Sequence, residues 1–219
     1  MSTRVSTAPH TVDSEQRGSW ERFAPLSGVA FFLLFLISAV LAQETPSEHA
    51  SGATVLSFFE AHADATKAST LVAGLAIVFL LFFASWLRDY LRGRGAGPLA
   101  SAVFGGAVVL AVGGAARAGI GWALASGHDK LDPTAAQAVY VVFTSHHPAV
   151  VGIAVFMLAA WASILRTGAL PTWLGWAALP IALIAIAPPS LVPLIATGVW
   201  IAVAGIVLFV RDVRLDTST

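Results

Sequence analysis

Residues 68–87 read ASTLVAGLAIVFLLFFASWL, a run of twenty residues without a charged side chain. A helix needs about 20 mostly apolar residues to cross the hydrocarbon core of a bilayer. Four other runs lack acidic residues, lysine and arginine over a comparable or greater length, at residues 23–43, 95–116, 133–165 and 167–210. The chain therefore carries the pattern of a membrane protein.

The last run has 44 residues, which is too long for one crossing and suits two. It contains Pro188-Pro189-Ser190, where the chain can turn at little cost. None of the runs alternates with the period of two that barrel strands require, and an α-helix satisfies its own backbone hydrogen bonds in lipid. We therefore predict an all-α, polytopic bundle of six transmembrane helices, near residues 24–42, 68–90, 98–125, 134–165, 171–187 and 191–211.

The overall composition agrees with a lipid environment. Of the 219 residues, 57% are hydrophobic and 11% are charged, whereas soluble domains carry about 25% charged residues. The absence of cysteine excludes disulfides, thiolate nucleophiles and cysteine-ligated metal sites. The net charge of zero gives no reason to expect nucleic-acid binding. We expect the lipid bilayer as a partner, and no cofactor.

The arginines predict the orientation, since cytoplasmic loops retain basic residues near membrane ends. One side of the predicted bundle carries Arg4, Arg17, Arg22, Arg88, Arg92, Arg94, Arg166, Arg211 and Arg214. The other side carries Lys67 and Lys130 among several acidic residues. This asymmetry predicts a multi-pass protein of the cell membrane with both termini cytoplasmic.

The predicted domain organisation is simple. Residues 1–20 form a disordered cytoplasmic tail, residues 21–214 form one transmembrane domain with an outer loop at 43–67, and residues 215–219 form a second tail. Val40-Leu41-Ala42 resembles a signal-peptidase site, and cleavage there would leave five helices. The preceding apolar run is longer than the 7 to 15 residues of a signal h-region, which favours a retained helix.

Three segments carry a resemblance to known sequences: Trp20-Glu21-Arg22-Phe23 with Leu26-Ser27-Gly28, the outer segment 53–63, and Trp86-Leu87-Arg88-Asp89-Tyr90-Leu91-Arg92. With this layout the chain resembles uncharacterised six-helix integral membrane protein families of actinobacteria. These segments cover less than half of the chain and include no catalytic signature. The resemblance implies topology only.

The third predicted span is rich in glycine, which lets helix backbones approach closely. Gly113, Arg117 and Gly121 are spaced by four and share one face. We predict that Gly106, Gly113 and Gly121 are helix-packing positions, with a glycine-lined solute path as the alternative. The same helix could mediate contact with a protein partner or a second copy of the chain.

Arg117 is the candidate centre of a polar pocket, because an ionisable residue within a span is by default a functional candidate. It lies about 18 residues from the cytoplasmic end of its span, and His146 and His147 lie at a similar depth in the next one. We predict that Arg117 approaches one of these histidines, with Glu60 or Asp64 of the outer loop offsetting its charge. The alternative is that Arg117 snorkels to lipid headgroups. Pro148 predicts a kink near His147.

Three functions remain open from the sequence. The leading expectation is a non-enzymatic accessory or partner-binding membrane protein, because convergent polar groups near the midplane are lacking. The first alternative is a small-solute or proton-linked transporter with an outward-facing site at Arg117, His146 and His147. The second is an outer-surface metalloenzyme, although no His-Glu-x-x-His motif occurs and no catalytic residue or metal ligand can be assigned.

Overall fold

The computed structural model describes residues 21–42, 44–47, 49–144, 147–186 and 191–216. These residues form eight α-helices, and none of them lies in a β-strand. A 3-10 turn at Glu21–Leu26 leads into α1 (Ser27–Leu41), followed by α2 (Gly52–Ala61), α3 (Ala63–Gly93), α4 (Pro98–Gly127), α5 (Pro133–Thr144), α6 (His147–Thr167), α7 (Thr172–Ile186) and α8 (Val192–Asp216).

Five segments are long and apolar enough to span a membrane: Phe23–Leu41, Ala63–Gly93, Pro98–Gly127, Pro133–Thr167 and Val192–Arg211. The fourth comprises α5 and α6 and includes two residues outside the described chain. The predicted all-α class is therefore confirmed, and these spans lie within a few residues of their predicted positions. The fifth predicted span corresponds to α7, which has 15 residues. At about 1.5 Å per residue it is roughly 22 Å long, less than the ~30 Å hydrocarbon core.

The kink predicted near His147 falls at a gap in the described chain and stays a prediction. Helix α5 ends at Thr144 and α6 begins at His147, while residues 145 and 146 lie outside the described chain. Pro148 has no N–H for the carbonyl of Thr144, which disfavours an unbroken helix here. The packing changes at the same point, since α5 lies mainly against α2, whereas α6 lies against α4 and α7.

Glycine brings α4 and α6 into backbone contact. A Cβ built on Gly106 would overlap the backbone nitrogen of Phe156, and one built on Gly152 would overlap that of Leu110. No side chain fits at such close approach, so each helix requires glycine where it meets the other. This contact forms the centre of the bundle and fixes the position of α4.

One end of the bundle, here called the arginine end, contains the α3–α4 turn, the α6–α7 turn and the last turns of α8. The carbonyl of Ala169 accepts hydrogen bonds from the Tyr90 hydroxyl and the Arg211 guanidinium, both at 3.0 Å. In the α3–α4 turn, Gly95 and Gly97 have φ of 89° and 56°, values that favour glycine. These contacts place the ends of α3, α6 and α8 together.

A smaller cluster, here called the cap, covers the opposite end and consists of α2, α5 and residues 44–47 and 49–51. Its core contains Val55, Phe59, Leu124, Tyr140 and Phe143. The buried Tyr140 hydroxyl donates a hydrogen bond to the Pro46 carbonyl at 2.5 Å. Gly52 lies so close to the Pro133 carbonyl that a Cβ could not be accommodated. The cap is thus packed onto the bundle.

Candidate functional site: a cavity at Arg117

A cavity of about 480 Å³ lies between the cap and the centre of the bundle. Its walls come from α1, α3, α4 and α8, and Phe58 and Phe59 of α2 contribute from the cap. Its size is within the range of about 300–1,000 Å³ that is usual for ligand pockets. The cavity is therefore large enough for a small molecule.

The polar and apolar lining residues separate along the helix axes. The polar ones lie at the cap end, and they are Ser38, Glu44, Thr45, Thr66, Ser69, Thr70 and Arg117. The residues nearest the bundle centre are apolar, and they include Phe31, Ala76, Leu80 and Leu110. The cavity consequently has a polar upper part and an apolar lower part.

Arg117 lines this cavity rather than extending away from the protein. Its guanidinium donates a hydrogen bond to the backbone carbonyl of Phe143 at 2.5 Å, and its Cζ atom lies 4.0 Å from the centroid of the Phe143 ring. Both contacts favour a cation, the first through the carbonyl dipole and the second through the face of the ring. Phe143 therefore anchors the guanidinium at the wall of the cavity.

The hydrogen bond from Arg117 joins α4 to the last described turn of α5. Phe143 is the next-to-last described residue of that helix, and residues 145 and 146 lie outside the described chain. A backbone carbonyl attracts a cation through its dipole. The contact therefore accommodates a half-buried arginine through a carbonyl acceptor on the described chain.

One hydrogen bond leaves most of the guanidinium's capacity unused by the described residues. Arginine has five N–H donors, and the hydrogen bond to Phe143 uses one of them. The nearby hydroxyl groups of Thr66 and Thr70 line the same part of the cavity. The Ser69 hydroxyl instead donates to the carbonyl of Ser38 at 2.8 Å. The upper part of the cavity can therefore offer several donors to one negatively charged group.

The structure brings none of the described predicted partners into the cavity beside Arg117, and it leaves the side chains of the two histidines undescribed. His146 and the side chain of His147 lie outside the described residues, so their approach to Arg117 stays a prediction. Glu60 and Asp64 are exposed, and neither lines the cavity. The carboxylate that does line it is Glu44, which is exposed at the cap end.

Several site residues were missing from the sequence prediction. Thr66, Ser69 and Thr70 follow one another at helical spacing near the start of α3, a signal for one polar face that the sequence contains. The sequence holds no comparable signal for Phe143, because its contribution depends on how α5 packs against α4. Glu44 lines the cavity and is not among the residues of the predicted pocket.

The three predicted helix-packing glycines have different surroundings. Gly106 contacts the backbone of α6, and a Cβ on Gly121 would lie 3.0 Å from the Phe143 ring. Gly113 lines the cavity together with Arg117. The glycine-bearing face of α4 therefore meets protein and the cavity, and the contact through Gly106 is within this chain.

A second groove, of about 540 Å³, lies between α3 and α4 on the outside of the bundle. Its lining includes Val78, Phe82 and Val112, which are exposed, and Ser85 is its polar residue. A groove of this composition matches the surface that a membrane-spanning bundle presents to lipid tails. None of its described lining residues is charged, whereas the cavity at Arg117 contains a guanidinium.

Comparisons of the chain with protein-family models, curated proteins and solved structures find no match. The resemblance to six-helix families consequently stays an expectation from sequence.

Proposed function

We propose that this is a non-enzymatic, multi-pass protein of the cell membrane that binds an anionic molecule in the cavity at Arg117. The observation that carries the proposal is the half-buried guanidinium, which faces a cavity and uses one donor on the described chain. A cation held in surroundings of low dielectric attracts an anion more strongly than one in water. Binding an anion in this way requires no catalytic group.

The proposal includes six spans, with α7 as the fifth and both termini cytoplasmic. Arg88, Arg92, Arg94, Arg166 and Arg211 all belong to the arginine end. Phe23, before α1, stacks on Phe209 of α8 at 6.2 Å, which supports placing both ends of the described chain on one side. By the bias of basic residues toward the cytoplasm, the arginine end is cytoplasmic and the cap external.

The closed, apolar lower end of the cavity favours binding of a solute over its permeation through the bundle. Leu80 and Leu110 form its lower boundary, and the residues beyond them toward the arginine end, Phe83, Ala107 and Phe156, are fully buried. A solute at Arg117 has no continuous polar path through this packing. An accessory component that holds its ligand on the external side fits this arrangement better than the transporter alternative, which needs the floor to open.

The metalloenzyme alternative receives no comparable support. Within the described residues, no group of three histidine, aspartate or glutamate side chains could hold a metal ion. The acidic residues Glu60 and Asp64 are solvent-exposed.

The proposal is tested by the charge selectivity of a single cysteine in the cavity. The chain has no native cysteine, so Thr70→Cys introduces one reactive thiol beside Arg117. Modification rates are measured in nanodiscs with the anionic sulfonatoethyl and the cationic trimethylammonioethyl methanethiosulfonates. We expect the anionic reagent to be favoured at position 70, relative to Ser57→Cys on the exposed surface of α2. Adding Arg117→Gln should reduce this preference by about tenfold, equivalent to ~1.4 kcal/mol.

Arg117→Lys is the matched control, because it keeps the positive charge and loses the planar guanidinium. It should retain most of the preference for the anionic reagent. An unreactive thiol at position 70 would refute an anion site in this cavity. So would a preference that Arg117→Gln leaves unchanged, provided that the variant and its parent both remain folded.

A further inference from the structure

We propose that the ligand of this cavity is a single-chain amphiphile with an anionic head, of the fatty-acid type, which enters sideways from the external leaflet. This inference rests on the proposed anion site and specifies its ligand class. A fully water-soluble anion would match only the polar upper part of the cavity. An amphiphile matches both parts at once.

The head group is assigned to the upper part. A carboxylate there can accept hydrogen bonds from the Arg117 donors that the described residues leave unused, and from the hydroxyls of Thr66 and Thr70. Glu44 at the cap end disfavours a second negative charge near the mouth, so a monoanionic head suits the site better than a multiply charged one.

The tail is assigned to the lower part. Seven residues of α4 separate Arg117 from Leu110, which is about 10 Å along the helix axis. The wall over this distance is formed by Phe35, Ala76 and Ile77, and it offers apolar contacts to a hydrocarbon chain. The amphiphile would therefore lie roughly parallel to the helices, with its tail toward the bundle centre.

The volume limits the ligand to one chain. If each non-hydrogen atom of a ligand occupies ~30 Å³, the volume of one water molecule, a cavity of about 480 Å³ holds roughly 16 such atoms. Decanoate, with ten carbons and two oxygens, fits within this limit. Two long chains exceed this volume, so the cavity suits a single-chain amphiphile better than a whole phospholipid.

Lateral entry is supported by the side chains of α1 and α8 at the side of the cavity. Toward the arginine end Gly198 of α8 lies against the Phe32 ring of α1, and Gly205 lies against the Pro25 carbonyl in the 3-10 turn before α1. Nearer the cap, Leu36 of α1 and Ile195 of α8 both line the cavity and are 38% and 46% exposed. An apolar tail can pass between two such side chains without crossing water.

The test uses a decanoate carrying a terminal diazirine, applied to the full chain in phosphatidylcholine nanodiscs and activated by light. We expect adducts on the apolar lining of α1, α3, α4 or α8, mapped by mass spectrometry. Unlabelled decanoate should compete, whereas acetate and decyltrimethylammonium at equal concentration should not. Arg117→Gln should weaken competition by decanoate about tenfold or more, the loss expected for a charge-assisted hydrogen bond.

A second variant tests the tail separately from the head. Ala73→Phe places a large side chain in the lining below Thr70, while Ala68→Phe places one on an exposed position of the same helix. Ala73→Phe should reduce specific labelling at least about fivefold, and Ala68→Phe should leave it unchanged. Both variants are compared only if they keep the unfolding temperature of the parent.

The outcomes separate this inference from the proposed function. If position 70 retains its preference for the anionic thiol reagent but decanoate does not compete, or Ala73→Phe has no effect, the cavity binds an anion that is not an amphiphile and the inference is wrong. If the charge preference is absent as well, the proposed anion site itself fails. Labelling confined to the exposed groove between α3 and α4 would also overturn the inference.

Discussion

The guanidinium of Arg117 on α4 donates a hydrogen bond to the carbonyl of Phe143 on α5, and its Cζ atom lies 4.0 Å from the centroid of the Phe143 ring. One residue thus supplies both a hydrogen-bond acceptor and an aromatic face to the cation. The contact joins the wall of the cavity to the cap, because Phe143 also packs against Phe59 of α2, with ring centroids 5.9 Å apart. The stability of the cap and the proposed anion binding consequently both depend on Arg117.

Removing the Arg117 charge should destabilise the protein even without ligand. In Arg117→Gln the Phe143 carbonyl loses a charged hydrogen-bond donor, a loss of about 1–3 kcal/mol. Thermal unfolding in nanodiscs, followed by tryptophan fluorescence, should show a lower midpoint. Arg117→Lys should recover part of the difference because it keeps the charge. Equal midpoints for all three proteins would show that the guanidinium does not support the cap.

Two adjacent glycines on α4 should respond very differently to a single added methyl group. A Cβ on Gly106 would overlap the α6 backbone, whereas one on Gly105 would have nothing within 4 Å. Gly106→Ala should therefore separate α4 from α6 and cost about 1–3 kcal/mol or prevent folding. Gly105→Ala should be neutral or slightly stabilising, since alanine favours helices. Similar unfolding midpoints for the two variants would contradict the close contact.

The sequence predicted the helices well because their main signal is local. A run such as residues 68–87 has one viable structure in lipid, and the end of each run is marked by charge or proline. Helix α3 nevertheless begins at Ala63, before the uncharged run, because Asp64 is well placed in the first turn of a helix and Lys67 can remain solvated. Hydropathy alone locates the span and misses this polar first turn.

The candidate site was predicted only in part, because its residues meet through tertiary packing. Arg117 stood out as an isolated cation, and its face with Gly113 and Gly121 was visible from spacing. Its contact with Phe143 could not be inferred, since it depends on how α5 packs against α4. Glu60 and Asp64 are predicted as partners because they belong to the outer loop over the bundle, and in the structure both are exposed, Glu60 on α2 and Asp64 in the first turn of α3.

The orientation of the bundle can be tested with two cysteines at exposed positions. Gly93→Cys lies at the arginine end and Ser57→Cys lies on the cap. With intact cells, a membrane-impermeant thiol reagent should modify position 57 and should reach position 93 only after the cells are opened. Labelling at position 93 of the Gly93→Cys variant from outside intact cells would reverse the proposed topology.

The first helix should remain in the mature protein. Phe31 is buried, a Cβ on Gly28 would lie 2.8 Å from the Phe83 ring, and Ser38 receives the hydrogen bond from Ser69. Cleavage after Ala42 would remove one wall of the cavity and expose this core. The intact mass of the purified protein, and detection of a tag placed at the N-terminus, should both report an uncleaved chain. If the measured mass corresponds to a chain that begins after Ala42, the first helix is cleaved and the mature protein has five membrane helices.

The two tyrosines of the chain provide a matched test of the cap as a cover over the cavity. Tyr140→Phe removes the hydrogen bond to Pro46, and Tyr90→Phe removes one to Ala169 at the opposite end. Each loss should cost about 1 kcal/mol of stability. Only Tyr140→Phe should loosen residues 44–47 over the polar part of the cavity and raise the modification rate of Thr70→Cys.

Comparing Tyr140→Phe with Tyr90→Phe separates access of the reagent to the cavity from a general loss of stability. Since both variants lose one tyrosine hydroxyl bonded to a backbone carbonyl, a faster reaction at position 70 in Tyr140→Phe alone would reflect opening at the cap. Ser57→Cys should react at the same rate in both backgrounds, because it is already exposed. If Tyr90→Phe accelerates modification at position 70 as much as Tyr140→Phe does, the reagent reaches the cavity through general loosening of the bundle, and the cap does not control entry.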